Sequence, residues 1–372
     1  MTEPRRLKGH KAIATYCIAS RDRPGLVATA GEDGCVCFFD LRCKDVLLVM
    51  DVGNNNPISS LCFKTGNENI IYVSAGNEVR CYDVNLAASW KPLESYSYNK
   101  DEINQIACNP KSSFLAAADD CGDVKIVDIR NHCLYKTLRA GHSTICSSVQ
   151  FLPWRPWEVI TGGLDSKLFM WDFSKGRPQK VADFGMPDMT NTGDSGQCLN
   201  PAFVHSLAVP DIDVVDKVGK ICAVARGDGA VNVLNIELEL AAIKSKTSSK
   251  TKKVTKSVSD SSISPGPLHV GSRKKLHLEH SMGGHSAAVS CVTFSLFGEK
   301  GKFIISGGND KSVKVWDWYD SYDAGAISGG TNILSKNFGL SKKVNWLCTT
   351  PMDSENLVVC DTSRVVKVFS VT

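Results

Sequence analysis

Residues 303–318 have the sequence FIISGGNDKSVKVWDW, and this stretch decides the fold of the 372-residue chain. An apolar run is followed by small residues, an Asn-Asp turn, and an alternating strand that ends in Trp-Asp. Alternation of apolar and polar residues indicates a β-strand, and Gly-Asp or Asn-Asp supplies a tight hairpin turn. Six other stretches have the same order: GLVATAGEDGCVCFFDLR (25–42), IIYVSAGNEVRCYDVN (70–85), FLAAADDCGDVKIVDIR (114–130), EVITGGLDSKLFMWDF (158–173), ICAVARGDGAVNVLNIE (221–237) and LVVCDTSRVVKVFSV (357–371).

The spacing of these copies identifies the architecture. Their closing residues Asp40, Asp83, Asp128 and Asp172 are 43, 45 and 44 residues apart, and later intervals are longer because of polar insertions. A period of about 40–45 residues is typical of WD40 propellers, in which each blade has four strands. We therefore predict an all-β protein that is one seven-bladed WD40 β-propeller.

A second apolar strand precedes each copy. These strands are ATYCIA, ISSLCF, INQIAC, ICSSVQF, FVHSLAV, AVSCVTF and VNWLCT. Together with the copies they predict blades at about 9–50, 51–98, 99–140, 141–185, 198–240, 278–335 and 336–372 plus 3–8.

The N-terminal residues are predicted to close the ring. The last blade ends at Thr372 after its third strand, and Arg5–Lys8 has the place that an outer strand takes before Gly9-His10. We expect this N-terminal strand to join blade seven, which would remove two exposed sheet edges.

Gly-His pairs precede three of the inner strands, which resembles WD40 proteins. That resemblance implies that each His bonds to a Ser or Thr and to the turn Asp of its own blade, and through them to a Trp. The sets are His10, Thr29 and Asp33 in blade one, with Phe39 in place of Trp, His142, Thr161, Asp165 and Trp171 in blade four, and His285, Ser306, Asp310 and Trp316 in blade six.

Residues 241–277 break the repeat with a segment rich in Ser and Lys. It should be disordered, because it has few apolar residues to bury, and we expect it between blades five and six. Residues 241–280 carry eight Lys and one Arg against two acids, so the remainder of this +4 chain is acidic. The segment is either a nuclear-localisation or phosphorylation-regulated tail or a solvating linker.

Composition excludes several classes of protein. Hydrophobic residues are 42% and charged residues 22%, and no run reaches the roughly 18 apolar residues of a membrane span. The N-terminus has no apolar signal core. The fifteen cysteines are odd in number and lack a C-x-x-C pair, which predicts a reduced intracellular protein without a metal site.

The recurring carboxylates and histidines do not predict an enzyme. They occupy equivalent positions in different blades and should lie far apart, whereas a catalytic site needs unlike groups within hydrogen-bond reach. Neither G-x-x-x-x-G-K-[ST] nor H-E-x-x-H is present. We therefore expect neither catalysis nor a cofactor.

Beyond the generic repeat, the chain resembles the WD repeat-containing protein 53 family over most of its length. The phrases that carry the resemblance are EINQIACNP, LAAADDCGDVKIVDIR, STICSSVQFLPWRPWEVITGGLDSKLFMWD, LNPAFVHSLAV, SGGNDKSVKVWD and KVNWL. The resemblance implies a WD40 adaptor and a candidate substrate receptor of cullin-4 ubiquitin ligases. Such receptors dock on the damaged-DNA-binding adaptor propeller through W-D-x-R at the end of a blade's third strand.

Two arginines match that docking position. Arg42 ends Phe-Asp-Leu-Arg and Arg130 ends Val-Asp-Ile-Arg, whereas both true Trp-Asp copies lack the Arg. A planar guanidinium can pair with carboxylates of a partner. The alternative is that each Arg is a solvated charge after a strand.

The loop LPWRPWEV places Trp154, Arg155 and Trp157 between two strands of blade four. Interface cores are enriched in Arg and aromatic residues, so these three could share one surface with Arg130 of blade three. Packing of both tryptophans against their own blade is the alternative.

These observations predict a non-catalytic protein-interaction scaffold, monomeric by itself and located in the cytoplasm, the nucleus or both. The finer hypothesis is a receptor for the adaptor of cullin-4 ligases. The alternative is an RNA- or chromatin-associated scaffold that uses the basic segment. Nucleic-acid binding is disfavoured because residues 241–277 contain no aromatic side chain for base stacking.

Overall fold

The seven predicted sheets are present in the computed structural model of this chain. The structure describes residues 3–52, 56–86, 91–139, 141–186, 200–241, 275–319, 322, 333–351 and 356–371. In these ranges every sheet has four strands, each antiparallel to its neighbours. The chain is therefore an all-β, seven-bladed WD40-type propeller, as predicted.

The inner two strands of each blade carry the repeated apolar runs. The inner strands of blades one to seven are Ala14–Ala19 (β2), Ile58–Lys64 (β6), Ile103–Cys108 (β10), Cys146–Phe151 (β14), Val204–Ala208 (β18), Val289–Phe294 (β22) and Val344–Thr349 (β26). The second strands are Leu26–Gly31 (β3), Asn67–Ala75 (β7), Phe114–Asp119 (β11), Glu158–Gly163 (β15), Ile221–Arg226 (β19), Phe303–Gly308 (β23) and Asn356–Asp361 (β27).

The outer two strands complete each blade. The third strands are Cys35–Asp40 (β4), Glu78–Asp83 (β8), Val124–Asp128 (β12), Lys167–Asp172 (β16), Val231–Asn235 (β20), Ser312–Asp317 (β24) and Val365–Ser370 (β28). The outer strands are Val46–Asp51 (β5), Glu94–Tyr96 (β9), Cys133–Leu138 (β13), Arg177–Asp183 (β17), Lys275–Leu278 (β21), Leu334–Gly339 (β25) and Arg5–Lys8 (β1).

Ring closure by the N-terminal strand is confirmed. β1 pairs antiparallel with β28, from Arg5 opposite Val368 to Lys8 opposite Val365. Leu7 is only 1% exposed and packs into the apolar cluster between blades seven and one. The first and last segments of the propeller are thus held in one sheet.

The core is divided among the junctions between blades. One apolar cluster fills each junction, because alternate strand residues point to opposite faces of a sheet and both faces meet a neighbouring blade. The largest fully buried side chains include Trp171 in blade four and Trp316 and Trp318 in blade six. Burial of this kind stabilises by about 25 cal/mol per Å² of apolar surface.

The structure differs from the sequence prediction at blade five. Lys275–Leu278 pairs with β20 and is the outer strand of that blade. The Ser/Lys-rich residues therefore interrupt blade five between its third and outer strands, instead of lying between blades five and six. The reason is the pattern Lys-Leu-His-Leu, in which Leu276 and Leu278 are buried. The predicted disorder of residues 241–277 falls largely on 242–274, which lie outside the described residues.

Helices are short in the described part of the chain. Helix α1, Ile212–Val218, lies between β18 and β19 and buries Val214, Val215 and Val218. A 3-10 turn covers His280–Met282, and residues 236–241 are helical. None of the described helices has the length and apolar character needed to cross a bilayer.

Candidate protein-binding surface

The three His-centred sets come together within their own blades. In blade four the Thr161 hydroxyl lies 2.8 Å from Nε2 of His142, and Nδ1 of His142 lies 2.9 Å from the Asp165 carboxylate. The Trp171 indole N–H donates to the Thr161 hydroxyl at 2.9 Å. Gly141 is required next to the His, because a Cβ there would lie 2.3 Å from the Trp171 ring.

Blades six and one repeat this geometry. Ser306 lies 2.9 Å from Nε2 of His285 and accepts the Trp316 N–H at 2.9 Å, while Asp310 lies 3.0 Å from Nδ1. In blade one, His10 lies 2.8 Å from Thr29 and 3.1 Å from Asp33, and no Trp completes the set.

Electrostatics favour a neutral His and an ionised Asp in blade six. Burial lowers the pKa of His285, although the Asp310 carboxylate opposes this shift. Burial disfavours the Asp310 carboxylate, but hydrogen bonds, first among them that from His285, bring its pKa to about 2. With Nδ1 protonated, His285 donates to Asp310 and accepts from Ser306, so each set serves to hold its blade together.

Arg42 is occupied by an acid of its own blade. Its guanidinium donates to both Asp40 carboxylate oxygens, at 2.9 Å from Nε and 2.6 Å from the terminal nitrogen. This hydrogen bond lowers the pKa of Asp40. Arg42 is exposed, but its donors are partly satisfied before any partner arrives.

Arg130 has a different environment. Asp128 is the acid that corresponds to Asp40, and its carboxylate accepts a hydrogen bond from the side-chain amide of Asn131 at 2.9 Å. Arg130 contacts this carboxylate only through its backbone N–H. Arg130 is exposed, and its guanidinium makes no ion pair with any described residue. Its donors are therefore free to meet an acceptor on another molecule.

Trp157 lies in an aromatic cluster at the junction of blades three and four. Its ring centroid is 5.7 Å from Phe114, 6.5 Å from Tyr135 and 5.5 Å from Phe173. Trp157 is 46% exposed and Tyr135 is 36% exposed, whereas Phe173 is fully buried beneath them. Phe173 and the partly buried Phe114 thus hold two large aromatic side chains at the surface.

Arg130 and this cluster lie at the same end of the two blades. Phe114 begins β11 and pairs with Asp128, which ends β12 just before Arg130. Because Phe114 also contacts Trp157, the turn of blade three and the loop of blade four are neighbours. We call Arg130, Tyr135 and Trp157 the blade 3–4 surface.

The other two predicted members of this surface point elsewhere. Trp154 packs against the apolar cluster between blades four and five. Arg155 bonds to Glu237 of blade five at 2.7 Å from Nε and to Glu158 at 2.7 Å, and the Glu237 bond raises the pKa of its guanidinium. The structure thus separates Trp154 and Arg155 from Arg130 and Trp157.

Tyr135 was missed by sequence reasoning. It lies on the outer strand β13, CLYKTL, in which Cys133, Leu134 and Tyr135 are all exposed. The sequence does offer one signal for it, because Tyr135 is an aromatic residue that follows the blade-ending Arg130 by five positions.

The central channel was also not foreseen as a site. A cavity of about 440 Å³ opens there and is lined by the inner strands of all seven blades. Tyr16 and Trp346 stack in its wall with ring centroids 4.2 Å apart, and Arg21 of blade one pairs with Asp211 of blade five at its mouth. No group of three or more His, Cys, Asp or Glu side chains able to hold a metal ion occurs in the described ranges.

Comparisons with known proteins agree with this architecture. The family described as "Nucleolar protein 10-like, N-terminal domain" matches residues 4–127, and "WD domain, G-beta repeat" matches residues 132–172 and 276–317. The chain is 24% identical to the "WD repeat-containing protein 53 homolog" of Dictyostelium discoideum, across 98% of this chain and 94% of that protein. It is also 24% identical to "Ribosome biogenesis protein YTM1" of Yarrowia lipolytica, across 73% of this chain and 56% of that protein.

Proposed function

We propose, for this WD40-repeat chain that resembles the WD repeat-containing protein 53 homolog, that it is a non-catalytic scaffold and docks on the adaptor propeller of cullin-4 ubiquitin ligases. The adaptor contacts the blade 3–4 surface, and another face of the propeller carries the client protein. No cofactor takes part in this role, and the scaffold is monomeric by itself.

The observation that carries the proposal is the exposure of Trp157 beside Arg130. Trp157 and Tyr135 together expose a patch of aromatic surface, and interface hot spots are enriched in Trp, Tyr and Arg. Arg130 also occupies the blade-ending position that ligase receptors use for docking. Phe173, which is buried, and Phe114, which is partly buried, contact both Trp157 and Tyr135 and pre-organise them, which reduces the entropy lost on binding.

Arg130 has a larger part in docking than Arg42. Arg42 would have to exchange its two bonds to Asp40 for bonds to the partner, so its net contribution is small. Arg130 makes no such bonds with a described residue, so its guanidinium loses only bound water when a partner docks. A guanidinium at an interface pairs best with a carboxylate, because its planar donors match the two oxygens.

The test is capture of the adaptor from cells that express the tagged protein. The double change Arg42→Ala and Arg130→Ala should abolish recovery of the adaptor, Arg130→Ala alone should reduce it strongly, and Arg42→Ala alone should not. Undiminished recovery with the double variant would reject ligase docking and leave a general protein scaffold.

A second candidate function follows from the other relatives. The match to a nucleolar family over residues 4–127 and the similarity to a ribosome biogenesis protein favour a scaffold in an RNA-associated nuclear assembly. Cytoplasmic and nuclear locations are both compatible with the two candidates. Co-sedimentation with large ribosomal precursors, lost after ribonuclease treatment, would support the second candidate.

A further inference from the structure

The seven outer strands differ in how they protect their free edges. An unpaired edge can accept a strand from another molecule, and proteins block this with Lys, other charges, Pro or a very short strand. Six outer strands carry such protection: Arg5, Arg6 and Lys8 on β1, Glu94 on the three-residue β9, Lys136 on β13, Arg177, Pro178 and Lys180 on β17, Lys275 on β21 and Lys336 on β25.

β5 is the least protected of the seven, because its one charged residue is Asp51 at the end of the strand. Its sequence is VLLVMD, with five apolar residues before Asp51 and neither a basic residue nor a proline. It ends the sheet order β2-β3-β4-β5, so no other described strand pairs with its outer edge. Leu47 is 54% exposed and Val49 is 41% exposed, while Met50 is buried in the junction with blade two.

Charges at the two ends of β5 are unequal. Asp51 is exposed on the same alternating face as Val49, and it forms no ion pair with a described residue. Leu47 is exposed two positions further along the strand, at a β-bulge in the pairing with β4. At the other end the exposed Lys44 and Asp45 have opposite charges that largely cancel. An added strand therefore meets a net negative charge only beside Asp51.

We propose that β5 accepts an extended segment of another protein as a fifth strand of blade one. The segment has apolar residues at alternate positions, which cover Val49 and Leu47, and a Lys or Arg opposite Asp51. Backbone hydrogen bonds to the free edge supply affinity, and the alternate side chains supply selectivity. This site is in a different blade from the blade 3–4 surface and does not depend on ligase docking.

A second copy of this chain fits the edge less well. Two β5 strands related by a two-fold axis would centre on Leu48 in order to overlap their apolar residues. That register places Asp45 opposite Asp51 at both ends, and like charges directly opposite each other are destabilising.

The experiment uses a fluorescent peptide, acetyl-Lys-Thr-Val-Thr-Val-Thr-amide, with the full chain. Added antiparallel, its Lys lies opposite Asp51 and its two Val residues lie opposite Val49 and Leu47. Val49→Lys should weaken binding by about tenfold, since the charge blocks the edge. Val181→Lys is the matched control, because Val181 is 39% exposed on the protected strand β17, and it should change binding by less than about twofold.

Two further comparisons test the chemistry of recognition. A peptide that begins with Glu should bind about threefold more weakly than the Lys peptide, and Asp51→Asn should remove this preference. The Val52 N–H donates to the Gly34 carbonyl oxygen next to β4, so by alternation the backbone groups of Val49 and Asp51 face the free edge. A peptide with Pro in place of the first Val should therefore not bind, because the residue opposite Val49 must donate its N–H to the ladder. Failure of the Lys peptide to bind, equal effects of Val49→Lys and Val181→Lys, or a wild-type dimer that only Val49→Lys dissociates would overturn the proposal.

Discussion

The side-chain amide of Asn345 donates a hydrogen bond to the carbonyl oxygen of Ala14 at 2.9 Å and thereby joins the last blade to the first. The second residue of the inner strand does the same at five other junctions. These bonds run from Thr15 to Ile58, from Ser59 to Ile103, from Asn104 to Cys146, from Ser147 to Val204 and from Ser290 to Val344. Six of the seven blades are thus linked to the next by a side chain of the inner strand.

Blade five lacks this link. Its equivalent residue is His205, and the described residues contain no hydrogen bond from that imidazole to blade six. The next residue, Ser206, is fully buried, and its hydroxyl has no hydrogen-bond partner among the residues that the structure describes. The equivalent Ser148 hydroxyl accepts the backbone N–H of Leu207 in the following blade at 3.0 Å. The junction of blades five and six therefore depends on its apolar cluster more than the others do.

The first prediction concerns this junction. His205→Asn should raise the free energy of unfolding by about 1 kcal/mol, because an amide at the same position bridges two other junctions. Asn104→Ala is the reciprocal control and should lower it by a similar amount. Urea denaturation measures both, and an unchanged or lowered unfolding free energy for His205→Asn would contradict the role given to this inter-blade hydrogen bond.

The second prediction concerns pH. Burial lowers the pKa of His205 below its ordinary value of about 6.5, so the folded state binds its proton less readily than the unfolded state. The stability from this neutral imidazole is complete above about pH 6.5 and declines as the pH falls toward the lowered pKa. Between pH 7.5 and 5.5 the wild type should lose more unfolding free energy than His205→Asn. Parallel pH profiles of the two proteins would contradict this assignment.

The third prediction concerns ring closure by β1. Leu7→Ala should cost about 2–5 kcal/mol of unfolding free energy, because Leu7 is 1% exposed in the cluster between blades seven and one. Arg6→Ala, at the exposed neighbouring position of the same strand, should stay within about 0.5 kcal/mol of wild type. Equal costs for the two variants would show that β1 is not packed as described.

The fourth prediction compares two blade networks. Thr161→Val should cost about 1–3 kcal/mol, because it leaves the Trp171 N–H and the His142 ring without their shared partner. Thr29→Val should cost less, since Phe39 stands where the Trp would be and only His10 loses a strong partner. Chemical denaturation of both variants checks the order, and a larger cost for Thr29→Val would refute the role of the Trp in the network.

Features that depend on residues close together in the chain are predicted from the sequence, whereas features that depend on contacts between distant residues are not. The repeat specifies all seven blades, because turn residues and alternating strands are local signals. The outer strand Lys275–Leu278 is not predicted, since four residues after a long polar segment carry little periodicity. The sequence instead places 275–277 in the insertion and 278 at the start of blade six. The ion pair of Arg155 with blade five could not be foreseen, because its partner Glu237 is 82 positions away in the chain.

The blade 3–4 surface is likewise predicted only in part from the sequence. The blade-ending position of Arg130 is visible in the sequence, but its freedom depends on Asn131 taking the Asp128 carboxylate. Arg42 has the same local motif and yet is held by Asp40. The exposure of Trp157 follows from Phe114 and Phe173 of two different blades, which fill the space beneath it.

The affinity of the purified protein for the cullin-4 adaptor propeller tests the blade 3–4 surface most directly. Trp157→Ala should raise Kd at least about thirtyfold, the effect of losing about 2 kcal/mol at a hot spot, and Leu47→Ala, at a similarly exposed apolar position in blade one, should leave Kd unchanged. Arg130→Ala serves as a second variant, because this exposed side chain contributes nothing to packing and its loss should also weaken binding. Unchanged Kd values for both Trp157→Ala and Arg130→Ala, or no measurable binding by the wild type, would contradict docking through this surface.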